Sequence, residues 1–143
     1  MSLRAASHLT LRPSAFATFS NRRLSPLRQF HTTPPTMAIH SLETKAAFDN
    51  AVKNHSVVIL DAFAEWCGPC KAIAPVVDKM SQEERFRDVH FAKIDVDELP
   101  ELSQELGITA MPTFLAFKNG EPAGKVLGAN PKAIEKLVSD LLD

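Results

Sequence analysis

Val57-Val58-Ile59-Leu60-Asp61-Ala62-Phe63-Ala64-Glu65-Trp66-Cys67-Gly68-Pro69-Cys70-Lys71 sets the frame for the whole 143-residue chain. Its first eight residues are apolar apart from Asp61, the pattern of a strand covered on both faces, as in a parallel sheet. The only two cysteines follow at once, separated by Gly68 and Pro69. Beyond them Ile73, Val76, Val77 and Met80 recur at helical spacing to about Glu84, with Pro75 inside the run and expected to kink it. The cysteines therefore stand where a central strand turns into a helix.

Working outward, Thr44 is placed to cap a helix bearing Phe48, Ala51 and Val52 on one face and ending near Asn54. Residues Val89 to Asp95 read as a second strand, and Asp97 as the cap of a short helix with Pro100 in its first turn, running to Leu106 and stopping at Gly107. Thr113 to Phe117 is a third strand. Asn119-Gly120 is a hairpin signal, so Ala123 to Leu127 should return antiparallel. Pro122 lacks an amide donor and assigns that strand to a sheet edge. Asn130 and Pro131 open a last helix carrying Ile134, Leu137, Val138 and Leu141. Strands alternating with helices, followed by a hairpin, give an α/β fold: a central mixed sheet with helices on both faces.

Charge divides the chain. Five arginines (Arg4, Arg12, Arg22, Arg23, Arg28) and no acid precede Glu43, so the leader carries +5 and the remainder −6, within a formal total of −1. An acid-free leader rich in Arg, Ser and Thr reads as a mitochondrial transit peptide over residues 1–37, because the membrane potential draws cationic segments inward. Arg28-Gln29-Phe30-His31 resembles a matrix-protease cleavage site, and Met37 could start a shorter cytosolic form. The expected location is the mitochondrial matrix. Residues 38–143 form the working domain, long enough to bury roughly 65% of its unfolded surface without metal or crosslink. No stretch approaches the ~20 apolar residues of a membrane span. Basic residues scattered among acids leave no footprint for nucleic acid.

A disulfide enclosing only two residues restricts the unfolded chain by about 2 kcal/mol, little for a structural staple, so the pair reads as a redox device. At the helix start Cys67 meets unsatisfied amides and the positive end of the helix dipole, which favour thiolate; it is the expected nucleophile. Cys70, one turn further in, is close enough to pair with it and more shielded, the expected resolving thiol. Pro69 suits a first-turn position and Gly68 lets another backbone approach the sulfur. Structural zinc would need two more ligands, and His40, His55 and His90 are scattered without metal-binding spacing. Covalent haem attachment would need His where Lys71 stands. No metal is expected.

The hexapeptide Trp66–Lys71 resembles the active site of the thioredoxin family, and the similarity extends from about Ala38 to the C-terminus. Asp61 matches the family's buried aspartate, Lys93 its partner lysine, Met111-Pro112-Thr113 the cis-proline segment, and Gly128 the glycine beside the site. The resemblance implies the thioredoxin fold and a protein-disulfide reductase that contributes to cell redox homeostasis. It implies electrons from NADPH through a flavin-containing thioredoxin reductase, no cofactor bound by the chain itself, and a monomer. Peroxiredoxins and methionine sulfoxide reductases are the implied clients.

The residues agree independently. A carboxylate interrupting a core strand should have a raised pKa, poised to exchange a proton with Cys70 through water, with Lys93 limiting the rise. Trp66, Ala74, Met111 and Gly128 should border an apolar client surface on which Met111 offers backbone to an added strand. Ala62-Phe63 stands where bacterial thioredoxins resemble Phe-Trp. Two other readings remain open: a disulfide isomerase-like domain, and a non-catalytic binding module on the same fold.

Overall fold

A computed structural model describes residues 39–143. The transit-peptide reading over residues 1–37, including the cleavage motif at Arg28–His31 and the start at Met37, lies outside the described residues. Ten elements follow in order: β1 (Ile39–Ser41), α1 (Lys45–Asn54), β2 (Val57–Phe63), α2 (Gly68–Ser81), a 3-10 turn (Glu84–Phe86), β3 (His90–Asp95), α3 (Pro100–Glu105), β4 (Thr113–Lys118), β5 (Glu121–Leu127) and α4 (Pro131–Asp140).

The five strands make one mixed sheet in the order β1-β3-β2-β4-β5. The apolar run at 57–63 is indeed its centre. It pairs parallel with β3 and antiparallel with β4. Strand alternation divides the core between two faces. On one, Val57, Ile59, Phe91, Phe114 and Ala116 meet Ile73, Val77 and Met80 of α2 and Ile134 and Val138 of α4. On the other, Val58, Leu60, Ile94, Leu115 and Phe117 meet Phe48 and Val52 of α1 and Leu102 of α3. Helices on both faces are what an apolar strand without polar alternation requires.

Local signals account for most boundaries. Thr44 accepts a bond from the Ala47 amide and Asn130 one from the Ala133 amide, capping α1 and α4. Asn119 and Gly120 both take positive φ, 54° and 91°, the backbone of a type I′ hairpin turn. Pro122 lies within the edge strand β5, whose pairing shifts register at Ala116/Phe117.

Several expectations need correcting. Asp97 does not cap α3: that helix starts after Leu99 with no side-chain cap, and the Asp97 carboxylate instead accepts the Trp66 indole N–H at 2.8 Å. Helix α2 holds Pro75 in its interior, as expected, but ends at Ser81 rather than Glu84. The three residues to Phe86 form a separate turn, whose job is to drive the Phe86 ring into the core, 1% exposed. Strand β1 was not anticipated, being three residues with one large apolar side chain. Finally, His40, His55 and His90 are far apart in sequence but stacked in space, with ring centroids 4.6 Å (His40–His90) and 3.8 Å (His55–His90) apart. Parallel rings do not converge on an ion, and among the described residues no group of three His, Cys, Asp or Glu is arranged to hold a metal. None of the described helices is long and apolar enough to cross a membrane.

Candidate active site

The carboxyl end of β2 and the amino end of α2 meet at the cysteine pair. Cys67 is the N-cap residue of α2, its backbone extended, and its Sγ accepts the Cys70 amide N–H at 3.2 Å. A sulfur in that position faces the helix's unsatisfied donors and the positive end of a 14-residue dipole, both of which stabilise a thiolate in the reduced protein. Pro69 occupies the first turn, where its missing amide costs nothing. Cys67 and Cys70 are joined by a disulfide with Cα atoms 5.3 Å apart. The sequence reading placed only Cys70 out of solvent; in the oxidised pair both are buried, 5% and 4% exposed. What separates them is therefore their relation to the helix end rather than accessibility.

Asp61 lies in β2, six residues before Cys67, on the strand face that α2 covers. It is 7% exposed and its Oδ1 has no hydrogen-bond partner. Burial pushes its pKa up from 3.8 to about 7, against the opposing pull of Lys93, which stands directly across in the β2–β3 register. A cleft of about 140 Å³ runs past Asp61, Phe63, Ala64, Glu65, Cys70, Lys71, Ala74 and Lys93. A buried water needs roughly 10–15 Å³ of cavity, so the cleft has room for a bridge between carboxylate and thiol. Ala74 thus lines the Asp61 cleft.

Around the sulfurs, Met111 and Phe63 pack against Ala64, Cys67 and Cys70. The Met111–Pro112 peptide bond is cis. Gly128, at φ +83°, donates its N–H to the Pro112 carbonyl at 2.8 Å, which ties the end of β5 to the segment beside the cysteines. Trp66 is 69% exposed and Leu127 59%. A side chain built on Gly68 would meet nothing within 4 Å, so the space before the sulfur is open. Sequence reasoning missed three members of this neighbourhood: Phe63 as cleft lining, Leu127 as exposed apolar surface, and Asp97 as the tryptophan's anchor. Only Asp97 left a signal, and its acid two residues after a strand reads equally as a helix cap.

Comparison with known proteins places these features in a family. The thioredoxin family model matches residues 39–140. The chain is 46% identical over 112 residues to Thioredoxin-2 of Pyricularia oryzae, an alignment spanning 78% of this chain and 64% of that relative. It is 40% identical over 116 residues to the mitochondrial Thioredoxin-3 of Saccharomyces cerevisiae, spanning 81% and 90%. The crystal structure of oxidised mitochondrial thioredoxin 3 from that yeast is similar with TM-score 0.69 and 43% identity, covering 73% of this chain and 96% of the other. A chain from a structure concerned with the thiol resolving mechanism of yeast mitochondrial 1-Cys peroxiredoxin via glutathione/thioredoxin systems matches with TM-score 0.68 and 43% identity, covering 72% and 95%.

Proposed function

The chain belongs to the thioredoxin family and is a thiol-disulfide oxidoreductase, and we propose that it works as a reductase in which Cys67 attacks, Cys70 resolves and Asp61 takes the proton. The Cys67 thiolate attacks one sulfur of a client disulfide; a Cys67–client disulfide forms and the other client sulfur leaves as thiolate. Cys70 then gives its proton through water to the Asp61 carboxylate, and its sulfur attacks Cys67. The Cys67–Cys70 disulfide forms and the second client thiolate leaves. Two electrons have passed to the client, whose two sulfurs leave as thiolates and become thiols by taking one proton back from Asp61 and one from solvent. An acceptor with a pKa near 7 is matched to that proton transfer at neutral pH. Lys93 limits how far Asp61 rises.

Client binding falls to the apolar rim: Trp66, Met111 and Gly128, with Gly68 and Pro69 leaving the approach to the sulfur open and Pro112 fixing the segment that bears Met111. The oxidised pair is returned to dithiol by a flavin-containing thioredoxin reductase drawing on NADPH. Clients are disulfide-containing proteins, with peroxiredoxins and methionine sulfoxide reductases the classes of choice; the likeness to a chain from a peroxiredoxin study supports the first. The matrix of mitochondria is the proposed location, supported by the cationic leader and by the likeness to a mitochondrial thioredoxin; N-terminal sequencing of the protein from its own cells tests it, and an intact Met1 would remove it.

One observation carries the reading: Cys67 Sγ at the head of α2, accepting the Cys70 amide, beside a cleft that also holds an unpartnered Asp61. The test is insulin-disulfide reduction with thioredoxin reductase and NADPH. We expect turnover that Cys67→Ser abolishes, and Cys70→Ser to stall at a mixed disulfide. Turnover surviving both substitutions would overturn it.

A further inference from the structure

Asp61, Phe63 and Lys93 project from the same face of the sheet, because Asp61 and Phe63 are two apart on β2 and Lys93 is opposite Asp61 on β3. All three line the cleft that reaches Cys70. The Lys93 ammonium lies 5.3 Å from the centroid of the Phe63 ring, within the range at which a cation is drawn to an aromatic face. Phe63 is itself held, half-buried, against Ala64, Cys67 and Cys70. Its ring thus packs on the cysteines and has the Lys93 ammonium over its face.

Lys93 does not bond to Asp61, whose Oδ1 has no partner. It acts through space, and a through-space charge is felt in proportion to where it rests. A lysine has four rotatable carbons and would otherwise extend its ammonium into water. The other titratable groups on the cleft are Glu65 after β2, Lys71 on α2 and the Cys70 thiol of the reduced protein; of the charges, Lys93 is the one that pulls on Asp61.

We propose that Phe63 is a positioning residue for the thiol chemistry: its ring holds the Lys93 ammonium over the cleft and so sets how readily Asp61 takes the proton that Cys70 gives up. The proposal rests on the reading of Asp61 as proton acceptor. It gives the aromatic ring at this position an electrostatic purpose alongside its packing. The alternative, that the ring only keeps water out of the cleft, predicts the opposite sign. Without a lid Asp61 would be better solvated and hold its proton less tightly; without a tether for Lys93 it would hold the proton more tightly.

The test is titration of Asp61 in the full chain by carboxyl ¹³C NMR, for the parent, Phe63→Leu, Phe63→Trp, Lys93→Met and the double variant Phe63→Leu/Lys93→Met. If the ammonium retreats a couple of Å at an effective dielectric near 20, the Asp61 midpoint rises by about half a pH unit in Phe63→Leu, about a threefold gain in proton affinity. Phe63→Trp, which keeps an aromatic face, should leave it at or below the parent value, and in Lys93→Met the Phe63→Leu shift should vanish. The pH profile of mixed-disulfide resolution should move with the Asp61 midpoint. A midpoint that falls or stays still in Phe63→Leu, or a rise that persists without Lys93, overturns the proposal. Asp61→Asn keeps the two readings apart: if it leaves the resolution profile unchanged, the proton-acceptor role fails, while the dependence of Asp61 on Phe63 through Lys93 is decided by the NMR cycle alone.

Discussion

Replacing Asp61 by Asn should make the protein more stable at alkaline pH. In the folded protein burial lifts the Asp61 pKa from 3.8 to about 7. A group whose folded pKa lies above its unfolded one keeps its proton better when folded, so between those two values the folded state binds more protons and stability falls as pH rises. At about 1.4 kcal/mol per unit, the gap amounts to about 4 kcal/mol withheld from the parent protein above pH 7 and returned below pH 4. Asparagine has nearly the same shape and never ionises. Urea unfolding of the oxidised protein, followed from pH 4 to 9, should show the parent losing stability at up to about 1.4 kcal/mol per pH unit between pH 5 and 7. The variant's curve should lack that descent. With a denaturant slope of about 2 kcal/mol/M, the two midpoints should differ by about 2 M urea at pH 8 and converge near pH 4. Parallel curves would refute the reasoning, since they would mean that Asp61 ionises as easily in the folded chain as in the unfolded one. Under the proposed mechanism, that cost is what a neutral-range proton acceptor beside Cys70 requires.

The histidine stack should produce the contrary trend. Burial first, then the neighbouring His55 and His40, lowers the His90 pKa from 6.5 to about 4, so its contribution is complete above pH 6.5 and is lost as pH falls toward 4; in an Asp61→Asn background, His90→Phe should flatten the acid side of the urea-midpoint profile, and an unchanged slope would contradict this. Phe86→Ala should cost about 3–5 kcal/mol by thermal or urea unfolding, because a fully buried ring leaves a cavity, while insulin reduction by the folded fraction stays at the parent rate. A cost below 1 kcal/mol would show that the 3-10 turn is not an anchor.

What the sequence disclosed is what local chemistry controls. The unbroken apolar run at 57–63 needs cover on both faces, and two core clusters supply it. Thr44, Asn130 and Asn119-Gly120 announce a cap, a cap and a hairpin, since each acts on backbone within three residues. Local chemistry does not reach what is decided across the fold. Asp97 is the clearest case: as a candidate cap it looked local, yet its carboxylate is taken by the Trp66 indole, 31 residues away in sequence. Phe86 carries no periodic partners that would mark it as core, and β1 is too short to have a pattern. The cleft behaves likewise. Asp61 stood out as a charge in an apolar strand and Lys93 entered as its partner only through the family resemblance, while the contact of Phe63 with Lys93 depends on strand pairing.

The most direct test of the account is the rate of iodoacetamide labelling at each cysteine of the reduced protein from pH 5 to 9, read by peptide mass mapping. Cys67, at the head of α2, should label near neutrality with a midpoint well below the ordinary thiol value of about 8.5, and Cys70 should label far more slowly at every pH in that range. Equal rates at the two sulfurs, or Cys70 reacting first, would contradict the assignment of nucleophile and resolving thiol on which the mechanism stands.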